Sequence, residues 1–233
     1  MTRVAVTSEL ESAERIGEFL TNVSMEPVYL PCIQIVHSPP ETLDPMRVAA
    51  EEADWVVFTS RRAVEIMWPE VMPRGPKVAA VGAATAVAVA AAGGRVALTG
   101  SGGAAELCDR LRGRVAGQLV VFPHAAGAAP ETAAMLRSGG AEVVAAPAYE
   151  TMSVAPAEDP VDALILASPS AVAGWLMSRE LAGVVIATMG QTTARAVRDS
   201  GVEPDVVPKV PGASAIVSAL HRHLNQLSER SSQ

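Results

Sequence analysis

Short apolar runs alternate along the chain with stretches of helical periodicity. The runs are three to five residues long, too short for helices, and are VAV (4–6), WVVFT (55–59), VAAV (78–81), LVVF (119–122), EVVAA (142–146), ALILA (163–167) and VVIA (184–187). Strands that are apolar at successive positions are covered on both faces, which is typical of parallel sheets between helices. The pattern therefore predicts an α/β fold built on parallel sheets.

The second half of the chain repeats the order of the first. FTSRRAV (58–64) aligns with LASPSAV (166–172), and VGAATAVAV (81–89) aligns with MGQTTARAV (189–197). Both alignments place matching residues 108 positions apart (168 − 60 and 193 − 85). A repeat of that length indicates a duplicated α/β half rather than a solenoid. We therefore expect two similar three-layer domains, with a cleft between them where a ligand binds.

Composition and charge narrow the class of protein. The 233 residues are 49% hydrophobic and 18% charged, which is typical of globular proteins. The net charge of −7 argues against nucleic acid as a partner. No apolar run approaches the roughly 20 residues that span a membrane, and two cysteines without a pattern are typical of reduced thiols. We expect a soluble, cytoplasmic protein.

In each half, predicted strands end in small polar segments that helices follow: FTSRRA, VGAATA, LASPSA and MGQTTA. Open α/β sheets bind ligands at the carboxyl ends of their strands, and helix N–H groups with hydroxyls bind anions without a lysine. The hydroxyls of Ser60, Thr85, Ser168 and Thr193 also fit plain helix capping, the commoner role for any single one. Four such ends in two related halves favour a ligand with several carboxylates or phosphates.

One glycine-rich segment offers a different reading. Thr99–Ala105, TGSGGAA, fits G-x-G-x-x-A, the pattern of a dinucleotide-binding turn. That turn belongs in the first strand–helix unit of a fold, whereas this segment lies in mid-chain. We expect a loop leading into a helix, and keep a nucleotide-dependent enzyme as an alternative.

The sequence shows no metal-binding pattern. His221 and His223 lie two residues apart on a predicted helix, so their side chains point in different directions. His124 has no second ligand near it in the sequence, and C-x-x-C, H-E-x-x-H and G-x-S-x-G do not occur. We expect neither metal-dependent hydrolysis nor a serine nucleophile elbow.

Five segments follow one another in order along nearly the whole chain: DWVVFTSRRAV, VGAATA, YET, ASPSAV and GQTTARAV. This ordered set resembles the uroporphyrinogen-III synthase family. The resemblance implies two α/β domains joined by a two-stranded linker. Residues 1–34 plus 152–233 would form the first domain and residues 37–148 the second, with linker strands at 35–36 and 149–151.

The resemblance also implies the reaction. The substrate would be hydroxymethylbilane, a linear tetrapyrrole with eight carboxylates, held in the interdomain cleft of a monomer. Loss of water, ring closure and inversion of the last pyrrole would give uroporphyrinogen III, with no cofactor and no metal. Because free hydroxymethylbilane closes unaided to the other isomer, the work is mainly orientation of the reacting carbons.

The residue roles follow from the same resemblance. Tyr149, one of two tyrosines in the chain, aligns with the family's proton donor, and the ordinary pKa of a tyrosine near 10 keeps such a donor protonated. From the residues alone, the favoured interpretation is a tyrosine that fills the core, with its hydroxyl bonded to a backbone carbonyl. The substrate-binding candidates are Thr59, Ser60, Arg61, Gly82, Ala84, Thr85, Ser168, Ser170, Gly190, Gln191, Thr192 and Thr193.

A non-catalytic member of the family is the second alternative. Such a protein would close on a tetrapyrrole or a small anion without turnover. Activity that depends on Tyr149 would distinguish the enzyme from it.

Overall fold

The chain folds into two compact units. The computed structural model describes residues 1–127, 130–210 and 212–231. Unit 1 combines Met1–Ile35 with Thr151–Gln233, and unit 2 is Val36–Glu150. The chain thus leaves unit 1 early and returns to it late.

Unit 1 is built on a four-stranded sheet in the order β10-β9-β1-β2, with all neighbours parallel. Its elements are β1 (Arg3–Val6), α1 (Leu10–Asn22), β2 (Glu26–Tyr29), β9 (Ala163–Leu166), α7 (Pro169–Leu176), β10 (Val185–Thr188), α8 (Gln191–Asp199) and α9 (Ala213–Ser231).

Alternating residues of this sheet face two separate apolar layers. Val4 and Val6 pack with Ile16 of α1 and Leu220 of α9. Ala5, between those valines, belongs to the opposite layer, formed by residues of α7 and α8. Because side chains alternate along a strand, a fully apolar run such as VAV is buried on both sides. Unit 1 therefore has three layers.

Unit 2 contains the six-stranded sheet, in the order β3-β8-β7-β4-β5-β6. The five strands from β8 to β6 are parallel. The elements are β3 (Ile33–His37), α2 (Pro40–Glu52), β4 (Trp55–Phe58), α3 (Arg61–Met67), β5 (Lys77–Ala80), α4 (Ala83–Ala91), β6 (Val96–Thr99), α5 (Ala104–Leu111), β7 (Leu119–Ala125), α6 (Pro130–Ser138) and β8 (Glu142–Ser153).

Helices also cover both faces of this sheet. Val57 packs with Leu107 of α5 and Leu136 of α6. Phe58, one residue further along β4, points the other way, where its ring meets the edge of Trp68 just after α3, with centroids 5.8 Å apart. The α/β class with parallel sheets is therefore confirmed.

β3 and β8 carry the chain between the units. Ser38 N–H donates to Ala148 O, and Val154 N–H donates to Cys32 O, both at 2.9 Å. Since residue numbers rise along one strand as they fall along the other, these two strands run antiparallel. The predicted linker segments, 35–36 and 149–151, lie inside them.

All seven apolar runs form strands, but the pattern missed β2, β3 and β6. All three are edge strands whose residues are partly exposed, so none is a continuous buried apolar run. Pro27 lies in β2, where the edge position tolerates its missing N–H. The run at 142–146 continues to Ser153 in β8, longer than its apolar letters indicate. Within the described residues, no helix is long and apolar enough to cross a membrane.

Candidate active site

The carboxyl ends of neighbouring strands bring two of the predicted segments of unit 2 together. Thr59 and Ser60 follow β4, and Gly82 follows β5, its direct neighbour in the sheet. Ser60 is the residue immediately before α3, and Gly82 holds the same place before α4. The sheet therefore places two helix N-termini side by side at one edge, as the strand-end argument predicts.

Tyr149 reaches this edge from β8. Its hydroxyl lies 2.9 Å from Ser60 Oγ, within hydrogen-bond distance, and its side chain is 6% exposed. The Arg62 guanidinium lies over the tyrosine ring, 5.6 Å from its centroid. A hydroxyl, a phenol and a cation therefore meet where the strands end, and the Ser60 hydroxyl is the phenol's side-chain partner among the described residues.

Of the four side-chain hydroxyls that could cap a helix, only one makes a capping hydrogen bond in the described structure; the four belong to Ser60, Thr85, Ser168 and Thr193. Ser168 caps α7, since its Oγ accepts the Ala171 N–H at 3.2 Å. Ser60 precedes α3 but makes no capping bond, because its hydroxyl is turned to Tyr149. Thr85 and Thr193 lie inside α4 and α8, so capping is wrong for them as well.

Glycines take the capping position in the other two helices, in nearly the same conformation. Gly82 has φ −172° and ψ 177°, and Gly190 has φ −176° and ψ −178°. This extended backbone suits any residue. A Cβ added at either glycine would meet nothing within 4 Å. Each unit therefore has a helix N-terminus with free space beside its first N–H groups, which is a suitable place for an anion.

Buried threonines lie behind these two helix N-termini. Thr85 and Thr193, matched in the repeat, are each 4% exposed. Neither hydroxyl has a hydrogen-bond partner among the residues that the structure describes. Ala84, Gln191 and Thr192, on the first turns, are exposed. The first turns are thus accessible, and a hydroxyl without a partner lies behind each.

Two further predicted site residues, Arg61 and Ser170, make contacts inside their own unit. Arg61 forms an ion pair with Glu65 one turn along α3, at 3.3 Å. Ser170 accepts a hydrogen bond on its backbone oxygen from Ser153 Oγ, at 2.8 Å, which ties the end of β8 to α7. Arg62, which is not among the substrate-binding residues predicted from the sequence, is the arginine that reaches Tyr149. The sequence does not distinguish the adjacent arginines, since helix direction decides which one points at the ring.

Sequence reasoning also missed two buried hydroxyls at strand ends of unit 1. Ser8 follows β1 and Thr188 ends β10, and neither side-chain oxygen has a partner among the described residues. Ser8 could have been found by the rule applied to the other strands, since the apolar run VAV is followed by Thr7 and Ser8.

Backbone N–H groups of the glycine-rich segment are already hydrogen-bonded to a side chain of the same chain. The Glu106 carboxylate accepts the N–H groups of Ser101 at 3.1 Å and Gly102 at 3.5 Å. These backbone bonds, that of Ser101 above all, lower the pKa of Glu106 below its usual value. A carboxylate therefore lies where a dinucleotide would place its phosphates, and β6 before the loop is an edge strand. This geometry does not favour the nucleotide alternative.

No group of three or more histidine, cysteine, aspartate or glutamate side chains positioned to hold a metal ion occurs among the described residues.

The family model and the solved structures that match this chain all belong to one family. The family model described as uroporphyrinogen-III synthase HemD matches residues 14–218. A uroporphyrinogen-III synthetase structure from Helicobacter pylori is 19% identical and superposes with a TM-score of 0.68, over 97% of this chain and 99% of that one. A mutant uroporphyrinogen III synthase from Thermus thermophilus is 20% identical, with a TM-score of 0.65 over 97% and 100%. The wild-type enzyme of that bacterium, in a second crystal form, gives 20% and 0.53 over 98% and 100%.

At these identities the structures show a shared fold. Among curated proteins, no significant match was found.

Proposed function

Since the chain belongs to the uroporphyrinogen-III synthase family, we propose that Tyr149, held by Ser60, is the proton donor of its reaction. Enzymes of this family are cyclising lyases of porphyrin biosynthesis, and this chain is one of them. The reaction converts hydroxymethylbilane to uroporphyrinogen III with loss of water and inversion of the last pyrrole. The observation that carries the assignment of the donor is the hydrogen bond between Ser60 and Tyr149 at the carboxyl edge of the sheet.

The proton balance of the step follows from these two hydroxyls. Tyr149 gives its proton to the departing hydroxyl, the carbon–oxygen bond breaks, and water leaves. Ser60 keeps its proton and donates a hydrogen bond to the phenolate oxygen, which stabilises the negative charge and leaves other lone pairs free to accept a proton. The phenolate takes back the proton that the pyrrole carbon releases when the ring closes. No net proton is consumed.

Arg62 supports the same step electrostatically. A guanidinium over an aromatic ring is attracted to its face, and its positive charge favours the negative phenolate more than the neutral phenol. The side chain is partly buried, which weakens screening by solvent. Arg62 thus contributes more once the proton has left than before, as transition-state stabilisation requires.

Substrate carboxylates have acceptor-free N–H groups available at the two helix N-termini. The spaces beside Gly82 and Gly190 admit a carboxylate to the first turns of α4 and α8. Helix N-termini carry a partial positive charge, so an acidic protein can hold a polycarboxylate locally. Of the hydroxyls nearby, Thr192 is exposed on the first turn of α8 and suits direct contact.

A coupled assay tests the activity and the donor together. Hydroxymethylbilane is generated in place, the protein is added, and the oxidised uroporphyrin isomers are separated by chromatography. We expect isomer III to dominate, and Tyr149→Phe to lower its rate of formation by at least about tenfold, the lower end of general-acid effects. The matched control is Tyr29→Phe, which alters the only other tyrosine.

The outcomes separate the alternatives. Isomer I alone, as without protein, would favour the non-catalytic reading. Full activity of Tyr149→Phe would remove Tyr149 from the mechanism while leaving the enzyme intact. No observation in the structure favours the non-catalytic protein.

The proposal also covers the oligomeric state, the compartment and the partners of the protein. We infer a monomer that acts in the cytoplasm on a small molecule, without nucleic acid. Sedimentation at a mass near 24.1 kDa supports the monomer, and a dimer at working concentration contradicts it.

A further inference from the structure

A groove lined by three cations lies in unit 2, apart from the candidate site. It has a volume of about 490 Å³, and its lining residues are Arg74, Gly75, Pro76, Lys77, Arg95, Val96 and Ala97. Lys77 begins β5, and Arg95 immediately precedes β6. Ser60 and Gly82 follow the carboxyl ends of parallel strands, at the opposite edge of the sheet. Four residues of strand, about 13 Å, separate the two edges.

The three cations have no ionic partners within the described part of the chain. Arg74, Lys77 and Arg95 are exposed and form no ion pair there. Other arginines of unit 2 are neutralised by nearby acids, as in the pairs Arg47–Asp44, Arg110–Glu106 and Arg112–Asp109. In a chain of net charge −7, the groove is therefore a local concentration of positive charge.

The sheet register places two of these charges side by side. Val78 pairs with Val96, so Lys77 at the start of β5 and Arg95 just before β6 directly precede paired residues, on backbones about 4.8 Å apart. Like charges in such positions destabilise a sheet. Asp54, next to Lys77 through a backbone bond, does not neutralise them, since its carboxylate accepts the Leu119 N–H on the β7 side of β4. A bound anion would relieve the repulsion.

The positions of the cations are fixed by the packing beneath them. Met72 N–H donates to Ala92 O at 2.9 Å, which joins the segment before β5 to the segment before β6. Gly94 fits against the buried Met72, because a Cβ there would overlap the Met72 Sδ. The Lys77 ammonium lies 5.5 Å from the centre of the buried Trp55 ring. The backbone segments that carry Lys77 and Arg95 are therefore joined to each other and packed on buried side chains.

We propose that this groove is a second ligand site, which binds a small polyanion with two or three phosphate or carboxylate groups. The two guanidinium groups match either anion through paired N–H donors, and the lysine adds a point charge. The volume falls within the range of small-molecule sites. Pro76, Val96 and Ala97 supply an apolar floor for the body of the ligand.

Pyrophosphate and citrate are the probes, because they carry the two anion chemistries on small frames. Binding is measured by titration calorimetry at constant ionic strength, and located by amide chemical-shift changes in NMR spectra. We expect one saturable site, with shifts at Gly75, Lys77, Val96 and Ala97. The double variant Arg74→Gln/Arg95→Gln weakens binding by at least about tenfold, since two charge-assisted hydrogen-bonding groups are lost.

The matched control is Arg114→Gln/Arg222→Gln, which removes the same charge at two exposed arginines elsewhere. It retains the affinity of the wild type. Equal loss in both double variants would mean a non-specific charge effect, and shifts confined to Gly82 or Gly190 would assign the anion to the candidate active site. Either result overturns the proposal. Preference for pyrophosphate or for citrate identifies a phosphate or a carboxylate ligand.

Discussion

Ser60 Oγ and Tyr149 Oη lie 2.9 Å apart, although 89 residues separate them in the chain. Ser60 follows β4, Tyr149 lies in β8, and β7 stands between the two strands in the sheet. The serine is at a helix N-terminus, where its hydroxyl would ordinarily accept a backbone N–H. The Ser60 hydroxyl makes no capping bond and is hydrogen-bonded to the Tyr149 phenol instead. The pair therefore positions the tyrosine at some expense to the helix.

Replacing the serine should impair Tyr149 without removing it. In Ser60→Ala the phenol loses its partner, and we expect kcat to fall by roughly tenfold, the rate equivalent of a hydrogen bond worth about 1.4 kcal/mol. KM should change little if Ser60 acts through the tyrosine and not on the substrate. Steady-state formation of isomer III gives both constants.

A double-mutant cycle tests whether the two residues act as a unit. In the Tyr149→Phe background, Ser60→Ala should cost almost nothing more, because the hydrogen bond is already absent. Additive losses would show that Ser60 contacts the substrate independently. Ser60→Thr retains a hydroxyl and serves as the conservative control.

The central strands of the fold could be predicted because burial on both faces leaves an unmistakable apolar run. WVVF and ALIL are completely buried, and both are strands. The search for apolar runs missed EPVY and VALT, because an edge strand has only one neighbouring strand and exposes part of its residues to solvent. β8 continues past Pro147 because it pairs with β7 and β3. The hydrophobic pattern of a short sequence segment holds no information about such pairing between distant strands.

The candidate site could be predicted only as a set of strand ends. The rule located Ser60 and Gly82 on adjacent strands, but it did not indicate that the Ser60 hydroxyl would turn to Tyr149. Nor did it separate Arg62 from Arg61, because that distinction requires the direction of α3. Helix capping, the alternative to ligand binding, is wrong for Thr85, because the structure gives the capping position to Gly82.

The two capping glycines should matter for substrate and little for folding. A Cβ at Gly82 or Gly190 meets nothing in this chain. We expect Gly82→Ala and Gly190→Ala to lower the free energy of unfolding by less than about 1 kcal/mol, the range of glycine-to-alanine changes at a cap. Each should raise KM, because the methyl group occupies space that a carboxylate needs to reach the helix.

Gly174→Ala is the contrasting variant for that experiment. A Cβ there overlaps Cys32 O and lies 2.7 Å from Val154 O, and both are backbone atoms that cannot rotate away. We expect it to destabilise the protein by about 1–3 kcal/mol, as overpacking does. Urea unfolding measures all three variants. An unchanged KM in both capping variants would remove these helix ends from substrate binding.

Glu106 should hold the glycine-rich loop in place only while it is ionised. Its pKa is lowered by backbone hydrogen bonds, first from Ser101. A lowered pKa in the folded state gives stability that is present above the ordinary value of 4.5 and lost as the pH falls through the folded value. We expect faster amide exchange at Ser101 and Gly102 in Glu106→Gln at neutral pH, compared with the wild type. Equal protection in both proteins would show that the carboxylate does not order the loop.

Cys32 should make the stability of the protein depend on alkaline pH. Burial raises the pKa of its thiol from 9.0 to about 12, although the charge of Arg179 opposes the shift. The folded pKa lies above the unfolded one, so the stabilisation is complete below pH 9.0 and is lost progressively as the pH rises towards 12. Cys32→Ala lacks this titration and starts less stable, since it leaves a cavity. Urea unfolding of both proteins between pH 8 and 10.5 should therefore show the advantage of the wild type shrinking above pH 9. A constant difference would mean that the thiol does not ionise on unfolding, and rapid alkylation of Cys32 in the folded protein would contradict its burial.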